Sequence, residues 1–180
     1  IGLEMAEAFH QWGVDVSVVG RAPQLLRFLD PDMGEHVSEA LTKMGIHLYL
    51  GEAVTGFEQT DGRVSAVVTQ ERTLPADLAI VATGVTPNSD LARDIGLPLG
   101  VKGAIKTDDH MRTSQPNIWA AGDCAETVQL ATGEPFWVSL ATVASKQGRV
   151  AGTNITGGDV AFAGTFGTTI TKAGPIEISR

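Results

Sequence analysis

Gly2, Arg21 and Arg27 stand at spacings that suit the binding of a dinucleotide phosphate. Ile1-Gly2-Leu3-Glu4 directly precedes a helical pattern, which a strand pattern and then basic residues follow. In a βαβ nucleotide unit the third glycine of G-x-G-x-x-G opens the helix, where the missing side chain allows close packing on the sheet. Gly2 occupies that place, and the first two glycines would lie before Ile1. The next strand ends in Gly20-Arg21, without the Asp or Glu that accepts from the ribose hydroxyls at an NAD site. Arg21 and, six positions on, Arg27 offer two guanidiniums instead. Their planar forks suit a dianionic 2′-phosphate, so the pattern favours NADP, with NAD the alternative. The competing reading makes both arginines solvated surface charges. A second constellation is Gly122-Asp123 at the end of a short apolar run. Glycine admits a ligand close to the backbone, and open α/β sheets bind ligands at the carboxyl ends of their strands.

These residues need a scaffold, and the periodicity supplies one. Leu3, Ala6, Phe9 and His10 repeat at helical spacing over Leu3–Trp12, with Gly13 as a C-cap. Val14–Val19 reads as a buried strand, Asp32–Met44 as a second helix stopped by Gly45, and Ile46–Leu50 as the next strand. A helix–strand–helix–strand order implies parallel pairing through crossovers. Val54–Phe57 and Val64–Thr69 flank the turn Thr60-Asp61-Gly62 and read as an antiparallel pair. Leu78–Val81 and Ile118–Ala121 are expected as short strands, Ser139–Ile155 as a long helix, and Gly157-Gly158 as a linker. The closing run Pro175–Arg180 alternates like a strand.

Composition narrows the classes. A net charge of -8 opposes nucleic-acid binding, which wants a basic surface. No apolar run approaches the ~20 residues that span a bilayer, so no membrane association is expected. The opening residues carry two glutamates and no basic stretch, unlike a signal peptide. One cysteine, Cys124, excludes an internal disulfide and points to a reducing, cytoplasmic setting. With no initiator Met and no stop signal after the last strand, the chain is expected to be an internal fragment.

The stretch from Thr113 to Asp123, TSQPNIWAAGD, resembles the second flavin motif of the pyridine nucleotide-disulfide oxidoreductases. Ile80–Pro87, IVATGVTP, resembles the family's Ala-Thr-Gly-x-x-Pro passage, and Ile1–Glu7 its Gly-Leu-Glu-Met-Ala-Glu helix. Phe162–Ile178, with Gly167, Thr168 and Lys172, looks like the opening of the interface domain in the coenzyme A-disulfide reductase and NADH oxidase/peroxidase branch. The resemblance covers essentially the whole chain. It implies an α/β fold in three parts: a Rossmann-like NAD(P)-binding domain over residues 1–84, lacking its first strand; the C-terminal half of an FAD-binding domain over 85–157; and the start of an α+β dimerisation domain over 158–180.

By the same resemblance, Asp123 accepts from the ribityl hydroxyls of FAD and the helix start beyond it faces cofactor. Gly122, Thr83 and Gly84 let backbone pass close to cofactor, and Glu4 lies near the nicotinamide. Ser139, Leu140 and Ala141 stand where relatives often read Pro-Leu-Ala at the flavin-facing helix, and Thr142 follows them. The implied activity is hydride transfer from NAD(P)H to FAD and on to a small-molecule disulfide such as coenzyme A disulfide, in a homodimer. Alternatives are an NAD(P)H oxidase or peroxidase, a ferredoxin- or rubredoxin-type electron-transfer reductase, and a non-enzymatic nucleotide-binding module. The branch's redox cysteine belongs to an N-terminal segment, so no catalytic residue is expected in this chain, and the fragment alone is expected to lack turnover. Cys124 is not a substitute, because its neighbours Asp123 and Glu126 oppose an anionic nucleophile. His10, His36 and His47 lack a second ligand at metal spacing, so no metal site is expected. His110 lies in a polar stretch, and Trp119 and Trp137 read first as packing residues.

Overall fold

A computed structural model describes residues 1–179 of the chain. Helix α1 spans Gly2–Gln11 and buries Ala6; its last turn gives way at Trp12 to Gly13, whose φ of 82° only glycine adopts cheaply. Strand β1 follows at Ser17–Gly20, shorter than the expected Val14–Val19, and helix α2 at Pro31–Met44. Pro31 opens α2, where its missing N–H costs nothing, and Asp32 and Lys43 match the helix dipole at opposite ends. Val37, Ala40 and Leu41 form the buried stripe, and Gly45 ends the helix in the left-handed region at φ 97°. Strand β2, His47–Leu50, returns parallel to β1 with Ser17 opposite His47 and Gly20 opposite Leu50. The expected parallel crossover is therefore present.

Strands β3 (Val54–Thr60) and β4 (Arg63–Thr69) make an antiparallel hairpin. Its two-residue turn places Asp61 and Gly62 at φ 52° and 76°, the mirror-image turn that fits the strands' twist. A third strand, β5 (Thr73–Pro75), adds to β4. It was not foreseen, because three residues ending in proline carry no periodic signal. The expected strand Leu78–Val81 does not form among the described residues. Leu78, Ile80 and Val81 are exposed, and no neighbouring strand supplies a ladder.

The chain divides into two compact units, Ile1–Thr83 together with the residues from Ile170 on, and Gly84–Thr169. The first has Leu41, Val37 and Ile46 at its centre, joined by Ala173 and Ile178. Those two come from a closing hairpin, β8 (Ile170–Ala173) and β9 (Ile176–Ser179), which packs with the first unit. The end of the expected run Pro175–Arg180, at Arg180, lies outside the described residues.

The second unit holds the short helix α3 (Asp90–Asp94), a two-stranded ribbon of β6 (Thr127–Val128) and β7 (Pro135–Phe136), and the long helix α4 (Ala141–Ile155). The expected strand Ile118–Ala121 appears as a single bridge, Arg112 to Trp119, around a tight turn with Asn117 at φ 64°. One bridge is too short a ladder to count as a strand. Helix α4 begins two residues later than expected: Leu140 is extended (φ −132°, ψ 125°), so Ser139 and Leu140 precede the helix. Its buried stripe reads Val143, Gln147, Val150, Ala151, Asn154.

Candidate functional site

In the first unit, Gly2 is the first residue of α1, and a Cβ built there would meet the Cβ of Ala82 at 3.2 Å. The helix thus starts hard against the Ile80–Thr83 run, as the third glycine of a nucleotide motif requires. Glu4 is exposed and accepts from Thr171 Oγ1 at 3.5 Å. Thr83 and Gly84 are exposed at the junction of the units, with Gly84 at φ 104°.

The parallel pair ends at Gly20 and Leu50, and the loop that leaves β1 carries both arginines. Two backbone bonds grip it: Gly51 N–H donates to the Ala22 carbonyl at 2.9 Å and Glu52 N–H to the Gly20 carbonyl at 3.1 Å. Further along, Leu25 is buried and Gln24 Nε2 donates to the Leu29 carbonyl at 2.9 Å. Arg21 and Arg27 are both exposed on this ordered loop. Among the described residues neither makes an ion pair, although their neighbour in sequence, Asp30, could have offered one.

In the second unit, Gly122 and Asp123 form a tight turn (Gly122–Cys124) beside the start of α4. Gly122 sits at φ 79°, and a Cβ there would meet Ala144 at 3.3 Å, so the position needs glycine twice over. Its N–H donates to Gln147 Oε1 at 2.7 Å. The Asp123 carbonyl accepts from Trp137 Nε1 at 2.8 Å, and its carboxylate accepts from Ser139 Oγ at 2.5 Å through Oδ2. Asp123 remains exposed, and its Oδ1 has no partner among the described residues. Both the Val143 and Ala144 amides bond to the Leu140 carbonyl. That leaves the first amides of α4, at Ala141 and Thr142, for an outside acceptor, where a helix start favours an anion.

The sequence reading missed Gln147. It is 1% exposed, its Nε2 has no partner among the described residues, and it lies 25 positions from the turn that it holds. The available signal was a polar residue on the apolar stripe of α4. Trp137, read as packing, is buried and also holds the Asp123 carbonyl, with Lys102 Nζ 5.1 Å from its ring centre. Cys124 Sγ contacts the Ala121 carbonyl at 3.4 Å and packs on the core of this unit.

His110 stands between two carboxylates, Asp109 at 2.6 Å from Nδ1 and Asp159 at 2.9 Å from Nε2. The hydrogen bond with Asp109 raises its pKa above the usual value, with the charges of both carboxylates adding and partial burial opposing. Asp108, Asp109 and His110 cluster, but both ring nitrogens of His110 are already engaged. Two shallow depressions along α2, one of about 380 Å³ between His36, Met44 and Pro175, contain no residue of either constellation.

A parallel β–α–β unit with a glycine-opened helix, followed by a braced Gly-Asp turn at a second helix start, defines an α/β fold of Rossmann type. The chain belongs to the pyridine nucleotide-disulphide oxidoreductase family, whose model matches residues 1–148. It is 45% identical to a CoA-dependent NAD(P)H sulfur oxidoreductase of Pyrococcus abyssi, over all of this chain and 40% of that protein. A crystal structure of an FAD-dependent pyridine nucleotide-disulphide oxidoreductase from Desulfovibrio vulgaris matches with a TM-score of 0.88 and 43% identity, covering 94% of this chain and 43% of that one. An engineered water-forming NADPH oxidase bound to NADPH matches with a TM-score of 0.85 and 33% identity, over 94% of this chain and 38% of that one. The chain thus spans about 40% of the length of the curated relatives it matches.

Proposed function

We propose that the full-length protein is a flavoprotein oxidoreductase that takes electrons from NADPH and delivers them to a small disulfide or sulfur acceptor, such as coenzyme A disulfide. The observation that carries this reading is the braced turn at Gly122-Asp123. A left-handed glycine, a carboxylate with one free oxygen and a helix start with free amides suit a ribityl chain and a diphosphate. Asp123 would hold the ribityl hydroxyls, Gly122 would admit the backbone close to them, and Ser139, Leu140 and Ala141 would bring the α4 amides to the cofactor. Bound flavin would supply the redox chemistry, accepting hydride from the nicotinamide and passing on two electrons. Glu4, Thr83 and Gly84 would line the nicotinamide side.

Two features support NADPH over NADH. Arg21 and Arg27 are free, ordered and six positions apart, with no acid at Gly20. The engineered NADPH oxidase carries introduced arginines at the same spacing, the first directly after a removed aspartate and nineteen positions after an altered glycine. Gly2, Gly20, Arg21 and Arg27 reproduce those separations. The substrate reading rests on the CoA-dependent sulfur oxidoreductase among the relatives. Likeness to the water-forming oxidase favours oxygen reduction as the second reading.

The remaining parts of the proposal follow the family. Residues 1–84 would form the NAD(P)-binding domain, 85–157 the second segment of the FAD-binding domain and 158–180 the start of a dimerisation domain in a homodimer. The redox cysteine would lie outside this chain. Among the described residues no helix is long and apolar enough to cross a membrane, and the setting would be cytoplasmic. Reoxidation of the reduced full-length flavoprotein tests the acceptor: coenzyme A disulfide should restore the oxidised flavin under anaerobic conditions. Reoxidation by oxygen alone would overturn the disulfide reading in favour of the oxidase.

A further inference from the structure

We propose that the ion pair between the buried Glu52 and the half-exposed Arg72 is a positioning device for coenzyme selection, because it sets the loop that presents Arg21. The inference rests on the NADPH reading above and adds residues that the phosphate would never touch. Glu52 is 7% exposed and lies at the end of the parallel pair, two residues after β2. Arg72 grips its carboxylate with two bonds, Nη2 to Oε1 at 2.8 Å and Nε to Oε2 at 3.1 Å. Thr69 Oγ1 donates to the same Oε2 at 2.9 Å, and the Arg72 guanidinium lies 5.0 Å from the centre of the Tyr49 ring. Thr69 Oγ1 also accepts from the Glu71 and Arg72 amides, which closes the turn from which Arg72 reaches back.

The backbone of Glu52 connects this cluster to the coenzyme loop. Its N–H holds the Gly20 carbonyl, and the N–H of Gly51 holds the Ala22 carbonyl. The two residues flanking Arg21 are therefore both bound to Gly51-Glu52. Gly51 sits at φ 77°, so this short clasp depends on a left-handed glycine. Keeping a carboxylate as buried as that of Glu52 is a costly way to add stability, even with a half-exposed guanidinium as its partner. The better-attested use of such a pair is to specify one register among several. Here the register set is that of Gly20-Arg21-Ala22, where a shift of about 1 Å costs a charged contact much of its geometry.

The test is steady-state kinetics of the full-length flavoprotein with NADPH and NADH, for Arg72→Met, the double variant Glu52→Met/Arg72→Met and, in parallel, Arg21→Ala. Arg72→Met leaves Glu52 buried without its partner and should lower thermal stability; the double variant removes both charges and should recover most of it. Both should raise KM for NADPH several-fold while leaving kcat and KM for NADH unchanged. Lost selectivity in the recovered double variant would separate positioning from general unfolding, and it remains measurable if the single variant does not fold. Equal KM changes for the two coenzymes, or none, would reduce the pair to a structural role. If Arg21→Ala lowers the preference for NADPH and the Arg72 variants do not, the positioning inference alone falls. If Arg21→Ala leaves the preference unchanged, the NADPH reading falls and takes the inference with it.

Discussion

The Gly122-Asp123 turn and the loop after β1, the proposed flavin and coenzyme sites, are built differently. At Gly122-Asp123 three polar groups are already bound: the Gly122 amide to Gln147, the Asp123 carbonyl to Trp137 and one Asp123 carboxylate oxygen to Ser139. At the loop after β1 the backbone is clasped by Gly51-Glu52, yet Arg21 and Arg27 are exposed and make no ion pair among the described residues. A cofactor that stays bound through many turnovers gains from a site whose ordering entropy is spent during folding. A coenzyme that must leave each cycle is served by side chains that become ordered only when it arrives. Under the proposed roles the contrast makes preorganisation follow residence time: both backbones are fixed, but of the side chains only the Asp123 carboxylate is.

That contrast can be broken at several points. The largest effect should come from Asp123→Ala in the full-length protein. Losing hydrogen bonds to a charged group at about 1.5–3 kcal/mol should weaken FAD binding by roughly ten- to a hundredfold, read by flavin release in equilibrium dialysis. Next, Gln147→Leu leaves the half-buried Gly122 amide unpaired, a cost of about 1 kcal/mol that should lower both thermal stability and flavin affinity. Gln147→Glu keeps an acceptor for that amide and should recover flavin affinity. If Gln147→Leu retains FAD normally, the turn does not depend on that brace.

On the coenzyme side, Arg21→Ala or Arg27→Ala should raise KM for NADPH about tenfold through one lost charge-assisted contact, without altering the flavin spectrum or KM for NADH. An equal effect on both coenzymes would place the arginines elsewhere. The smallest effect belongs to His110. Its pKa is raised in the folded chain, so the contribution of the Asp109–His110–Asp159 bridge is full below about 6.5 and is lost as pH climbs through the raised value. A ¹H–¹⁵N titration of the ring, paired with amide exchange at Val160, should show the Val160 amide opening over the same window. Ring titration at or below the unfolded value would contradict the bridge.

Local rules made part of this legible. The Asp61-Gly62 turn, Gly45 and Gly122 each announce a backbone geometry that few other residues adopt, and Gly2 a close approach to Ala82. Asp123 and the two arginines were marked by residue type at defined spacing. Gln147 and the Glu52–Arg72 pair were not, because their partners lie 25 and 20 positions away and only the folded chain brings them together. Leu78–Val81 and Ile118–Ala121 failed for a related reason: apolar, β-favouring residues mark a candidate strand, but a strand exists only where a neighbour completes its ladder.

The central claim, that this chain carries the coenzyme clamp and flavin brace of an NADPH-dependent flavoprotein, is tested most directly by anaerobic rapid mixing. The full-length protein with its native flavin would be mixed with NADPH or with NADH while the visible flavin absorbance is followed. The account predicts bleaching by both coenzymes, faster and at lower concentration with NADPH. Faster bleaching by NADH would contradict the Arg21–Arg27 clamp, and no bleaching by either would contradict the oxidoreductase reading itself.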